Sequence, residues 1–270
     1  MAEFVEDLQA MLDSASEMIS VDEIDQAWVI LNKLAAQYPD AADVPATMGD
    51  AAMRVGDLEY ALELYDQAVE LDPEWSDAHS ARADCLAEMG QASEAWEDVD
   101  RALELDSQNP QAHWVRAVLL ELEGKQRQAD DAYRTAAELD PEAYCPPVRV
   151  TRRAFDQAVK KAIHLLPPAF QSKMDGVEIF VKEMPGPDDH PDSGLGPLIM
   201  GAFDGYSLTE RRTSDPWTQI PPRIYLYQRN IERVCRSRAE LVDEIEVTLL
   251  HEVGHYFGLE DEDLQKLDLG

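Results

Sequence analysis

Along the first half of the chain, small and apolar positions recur at a fixed interval of 34 residues. Ala27, Ala61, Ala95 and Ala129 mark it, as do Ala68, Ala102 and Ala136, and Gly56, Gly90 and Gly124. Pro39, Pro73 and Pro141 keep the same phase with Ser107 in the intermediate slot, and Tyr65 recurs as Tyr133 with Val99 between. Small residues at fixed sites suit helix crossings, the Gly makes a turn, and the Pro stops the second helix. Each interval therefore reads as a helical hairpin, and four are predicted, roughly 8–41, 42–75, 76–109 and 110–143. In the first, Asp22 stands where Gly is expected, as a terminal repeat tolerates.

The pattern changes after residue 143. Tyr144-Cys145-Pro146-Pro147 ends the array, because paired prolines cannot continue a helix. Arg152 to Leu166 has helical periodicity through Phe155, Val159, Ile163 and Leu166. Val177 to Val181 alternates as a strand does. A stretch rich in Pro, Gly and Asp runs from Met184 to Pro197. Its acidic cluster (Asp188, Asp189, His190, Asp192) reads as a polar loop rather than a cation site. Pro197–Phe203 and Pro222–Tyr227 are two further predicted strands, a helix runs from Asn230 to about Cys235, and a last helix follows. The fold expected is an all-α helical-repeat solenoid over 1–143, a Pro-rich linker over 144–149, and a small α+β domain over 150–270.

Composition narrows the class. The chain is 45% hydrophobic and 29% charged, which is globular rather than disordered. It has no 18-residue apolar run and starts with the acidic, amphipathic MAEFVEDLQAML, which excludes a membrane span and argues against a secretory signal. Three scattered cysteines (Cys85, Cys145, Cys235) fit reduced thiols and a cytoplasmic location. The net charge of −32 is unevenly spread, −26 over residues 1–143 and −6 over 144–270. Nucleic acid and anionic membranes are thereby excluded as partners of the N-terminal part.

Candidate chemistry lies near the C-terminal end, in Glu244–Asp261, reading EIEVTLLHEVGHYFGLED. His251-Glu252-Val253-Gly254-His255 is an H-E-x-x-H pattern. Residues four apart on a helix share a face, so both imidazoles can reach one Zn²⁺ ion. Glu252 lies about 100° round the helix, beside the ion rather than on it, where it can act as general base and then acid. Val242, Leu249, Leu250, Val253 and Phe257 form the predicted buried back, and Gly258 is a natural helix stop. A turn there brings one of three acids, Glu260, Asp261 or Glu262, back as a third ligand. An extended return puts neighbours on opposite sides, and Asp261 is favoured.

The 34-residue period resembles the tetratricopeptide repeat. That resemblance implies a curved solenoid in which Asp43, Asp50, Arg54, Asp77, Asp84, Glu88, Gln111, Trp114 and Glu121 face a concave groove. It implies a protein or peptide partner there, which the charge makes basic, with Trp114 as an aromatic anchor. His79 and His113 also lie one period apart and are expected to be packing residues.

The segments Leu208-Thr209-Glu210-Arg211, Pro222 to Asn230 and Leu249 to Leu259, in that order, resemble the small bacterial zincin-like metallopeptidases, the minimal zincins. This implies zinc held by His251, His255 and the downstream acid, Asp261 by position, and a zinc metallopeptidase with Glu252 as its base. Members are mostly short and lack a repeat array. The Met-containing turn of larger zincins has no counterpart, since no Met follows Met200. An exposed strand 223–227 is expected to pair with an extended peptide, with Tyr225 or Tyr227 either donating to the oxyanion or packing. The alternative is a non-catalytic adaptor, its repeats binding a partner and its zinc site structural or vestigial.

Overall fold

The structure, a computed structural model, describes residues 2–186, 196–210, 221–260 and 263–264. Two compact units divide the chain, Met1–Cys145 and Pro146–Gly270. The acidic loop cluster Asp188–Asp192 and position Asp261 lie outside the described residues.

The first unit consists of helical hairpins at the intervals the sequence predicts: α1 (Ala2–Ser20) with α2 (Ile24–Gln37), α3 (Asp43–Arg54) with α4 (Leu58–Leu71), α5 (Ser76–Glu88) with α6 (Ala92–Leu105), and α7 (Pro110–Leu122) with α8 (Gln126–Leu139). First helices of successive hairpins also touch, α1 on α3, α3 on α5, α5 on α7. The periodic alanines explain the stacking: Ala27, Ala61, Ala95, Ala129, Ala68, Ala102 and Ala136 are all fully buried. The turns run through positive φ at Gly56, Gly90 and Gly124 (76°, 75° and 74°), and Asp22 takes that conformation in the first hairpin at 66°. Asp is one of the few side chains that enter this region readily, so the degenerate repeat keeps its turn.

Tyr65, Val99 and Tyr133 fill equivalent core slots. Each Tyr needs an acceptor for its buried hydroxyl. Tyr65 donates to Asp50 at 2.8 Å and Tyr133 to Glu121 at 3.0 Å. His79 packs as expected, 6% exposed, with Nδ1 2.8 Å from Asp98 and Nε2 3.1 Å from the Pro73 carbonyl. Asp98 also accepts two bonds from Arg82, each 2.7 Å.

The second unit contains α9 (Arg152–Leu165), α10 (Pro168–Gln171), β1 (Glu178–Lys182), β2 (Gly201–Asp204), β3 (Arg223–Tyr227), α11 (Gln228–Val234) and α12 (Arg238–Phe257). The sheet order is β1-β3-β2, with β1 parallel and β2 antiparallel to β3. This corrects the expectation for strand 223–227: β3 is central, both its edges are paired, and it has no edge left for a peptide. The described strand at an end of the sheet beside α12 is β2.

Residues Leu241, Ile245, Leu249 and Val253, four apart on α12, pack with Phe155 and Val159 of α9 and with Ile224, Leu226 and Ile231. This seam is rotated from the predicted one. Val242, Leu250 and Phe257 are half-buried, whereas Thr248, Glu252 and Tyr256 are buried because β2 and the chain after it cover that side. The result is a helical tetratricopeptide-like array followed by a small α+β region with a three-stranded mixed sheet.

Candidate active site

Helix α12 carries the H-E-x-x-H residues on its C-terminal turns. Ser237 begins it, its hydroxyl accepting from the Glu240 N–H at 3.2 Å, while the Glu240 carboxylate accepts from the Arg236 N–H at 2.8 Å. That is an S-x-x-E start. Gly258 ends it in the left-handed region at φ 84°, and the Leu259 N–H bonds back to the Gly254 carbonyl at 3.1 Å.

His251 and His255 are half-buried and turn their Nε2 atoms toward one another at 3.0 Å. Two nitrogens each about 2.0–2.1 Å from a tetrahedral ion lie roughly 3.3 Å apart, so the pair is close to a chelating separation. His255 Nδ1 is 3.1 Å from the Leu259 carbonyl. A carbonyl can only accept, so Nδ1 carries the proton and Nε2, which faces His251, is the nitrogen with the lone pair. Among the described residues no group of three His, Cys, Asp or Glu side chains encloses a metal site. The third ligand expected at Asp261 lies outside the described residues. Among its described neighbours, the Asp263 and Leu264 N–H groups both donate to the Glu260 carbonyl, at 2.9 and 3.1 Å.

The histidines open on a cleft of about 920 Å³, lined on one side by α12 and on the other by Ile199 to Phe203 and by Ser207, Thr209 and Glu210. Glu252 lines it too, 6% exposed. The strand wall comes very close: a methyl group at Gly201 would stand 2.7 Å from Glu252 Oε1 and 2.8 Å from Thr248 Cγ2. Sequence reasoning missed this wall. Gly201 is unremarkable until strand and helix are brought together.

Beyond β2, the Leu208 N–H bonds to the Tyr256 carbonyl at 2.8 Å, fixing the Ser207–Glu210 segment over the end of α12. Glu210 accepts from the Ser207 hydroxyl at 2.8 Å and from the Ser207 N–H at 3.0 Å; these bonds, the hydroxyl first, hold its carboxyl below the usual range. Tyr225 and Tyr227 do not line the cleft. Tyr227 is fully buried and Tyr225 stacks on Phe180 at 5.5 Å, so their packing role stands and the oxyanion role does not. Cys85 and Cys235 are buried, and burial pushes each thiol up to about 12, which removes them as nucleophiles at neutral pH.

On the other side of the histidine helix, a methyl at Gly254 would stand 2.4 Å from Leu264 Cδ2, and Leu264 is fully buried. The glycine between the histidines thus seats the chain that follows Glu260. Gly254→Ala and Leu264→Ala should each destabilise the second unit by about 1–3 kcal/mol. The double variant should lose less than the sum, because Ala at 264 relieves the clash. Urea titration of the four proteins checks this, and strict additivity would contradict the contact.

In the repeat unit, Asp43, Asp50, Asp77 and Gln111 line a hollow of about 230 Å³ together with Asp13 and Trp75. Burial raises the Asp43 carboxyl above its ordinary value, and Asp72 and Asp77 add to that. Three expected groove residues are otherwise engaged. Glu121 is buried beneath Tyr133, Arg54 pairs with Asp22 at 3.2 Å, and Trp114 packs on Tyr133 and Tyr144 with ring centroids at 4.7 and 5.4 Å.

Fold and site together give a helical-repeat unit followed by a small α+β unit whose last long helix carries an H-E-x-x-H motif. Comparison with known families gives the particulars. Residues 174–270 match the zincin-like metallopeptidase family and residues 46–74 match the tetratricopeptide repeat. The chain thus carries a tetratricopeptide repeat and a zincin-like metallopeptidase domain. No curated protein matches it. Among solved structures it is similar to a thermophilic tetratricopeptide protein of Thermus thermophilus, with 22% identity over 52% of this chain and 78% of that one and a TM-score of 0.46. It is also similar to MamA of Desulfovibrio magneticus, with 17% identity over 50% and 76% and a TM-score of 0.41.

Proposed function

We propose that the protein is a zinc-dependent metallopeptidase whose repeat array recruits a protein partner or substrate. The observation that carries this reading is the pairing of two imidazoles, Nε2 to Nε2 at 3.0 Å, beside a buried Glu252 in one cleft. His251 and His255 would hold zinc, with Asp261 as third ligand. Bound zinc would supply a Lewis acid for the scissile carbonyl and make water a nucleophile near neutral pH.

The chain's own residues do the rest. Glu252 takes the proton from the attacking water and passes it to the leaving amine. Its carboxylate lies close to Gly201, where the lack of a side chain leaves room for it. The β2 edge and the apolar Ile199, Met200 and Val247 offer an extended peptide main-chain and side-chain contacts along the cleft. In the array, Asp13, Asp43, Asp50 and Asp77 favour a basic partner with salt-sensitive affinity. A reduced cytoplasmic setting agrees with free, buried thiols.

Purified protein supplied with zinc should hold one equivalent per chain by metal analysis. Asp261→Ala should weaken zinc binding roughly 100-fold or more, while Glu260→Ala and Glu262→Ala retain it. Unchanged affinity in the Asp261 variant would overturn that ligand assignment. Cleavage of unstructured polypeptides by the zinc-loaded protein, abolished by a chelator and restored by zinc, tests the function. Full zinc occupancy without cleavage of any polypeptide would leave the adaptor reading.

A further inference from the structure

Among the described residues, carboxylates line the cleft on both sides of the histidine pair. Glu244 lines it seven residues before His251, about 10 Å along the helix. Glu210 and Glu260 line it at the opposite end, near Thr209, Gly258 and Leu259. Among the described lining residues no Lys or Arg appears, and the histidines are the sole basic groups. These carboxylates are placed rather than scattered. Glu210 is gripped by Ser207, and Glu244 accepts from the Thr248 hydroxyl at 3.3 Å on the helix that carries the histidines. Between the two ends the walls are largely apolar: Ile199, Met200, Phe203 and Val247.

A polypeptide lying through this cleft would place side chains on both sides of the histidine pair within reach of a carboxylate. Acidic flanks would meet like charge and be rejected, whereas the long stems of Lys or Arg would cover the apolar walls while their heads reach the rim. We propose that the substrate is a polypeptide with Lys or Arg on both sides of the bond that is cut. This rests on the peptidase reading of the cleft.

The test uses the full, zinc-loaded chain and quenched fluorescent peptides of one length that differ in their flanks: Lys/Arg, Ala or Glu. The basic set should be cleaved with kcat/KM about tenfold above the Ala set, the Glu set should be poorest, and the difference should shrink as salt is raised. Glu244→Gln combined with Glu260→Gln, checked for full zinc content, should bring the basic and Ala sets close together. Equal cleavage of all three sets overturns the proposal.

Binding of the same peptides to Glu252→Gln, followed by fluorescence anisotropy, separates this proposal from the catalytic reading. Charge-selective binding that needs Glu244 and Glu260, without cleavage by the parent protein, sustains the cleft preference and removes the peptidase. Selective binding that survives both Glu→Gln changes belongs to the acidic array and overturns the cleft proposal. Absence of both cleavage and selective binding overturns both.

Discussion

On the proposed mechanism, Glu252→Gln should lower peptide hydrolysis by about 10²–10⁴-fold, the usual cost of losing a general base, and leave bound zinc unchanged. The side chain is 6% exposed and packed close to Gly201, so the amide fills the same space and leaves no cavity. An amide has no basic oxygen with which to take a proton from water at neutral pH. The proposed ligands lie on other residues, so metal content is independent of the change. Measuring kcat/KM and zinc on the same preparation distinguishes loss of proton transfer from loss of the site. Activity within a factor of two of the parent would sink the mechanism.

The second large effect is structural. Glu232→Ala should remove about 3 kcal/mol or more from the second unit, the range for breaking a buried ion pair on one side. Glu232 is fully buried, and it binds four groups: Arg149 at 3.2 Å, Arg229 at 2.9 Å, the Val150 N–H at 3.0 Å and Gln228 at 2.7 Å. Alanine takes a buried carboxylate partner away from two half-buried guanidinium groups and from a main-chain donor. It also leaves the segment before α9 tied to α11 by the Val148 N–H to the Glu232 carbonyl and by the Gln228 amide to the Val150 carbonyl. The two units can unfold separately, so hydrogen exchange is the suitable measurement. Amides of α9, α11 and α12 should lose roughly 100-fold or more in protection, while those of α1 to α8 serve as an unchanged reference. Equal loss in both units, or none, would contradict the role given to Glu232.

Much of this molecule can be read along the chain, for local physical reasons. The repeat hairpins follow from Ala, Gly and Pro recurring in phase, since each marks a crossing, a turn or a stop whatever the tertiary context. The end of α12 at Gly258 and the joint facing of His251 and His255 need nothing beyond helical geometry. Strand order was not legible. Arg223–Tyr227 looks the same whether it is central or at an edge, and its pairing with β1 across more than 40 intervening residues has no local signature. The rotated seam of α12 has the same origin. Thr248 and Tyr256 are buried by β2 and the segment after it, neighbours that a helical periodicity does not contain. In the array, Glu121 reads as a polar groove residue and proves to be the acceptor that a buried Tyr133 requires.

The contact of Gly201 with Glu252 bears on how this site can change over generations. The wall facing the general base is main chain, and main chain has no identity to exchange; a side chain at 201 displaces the carboxylate first. Variation that preserves the chemistry is therefore channelled to the rim, where Glu244, Glu210 and Glu260 sit on three separate segments. Each can be altered without moving the others. If the site hydrolyses peptides as proposed, it can acquire new substrates one position at a time while its reaction stays as it was.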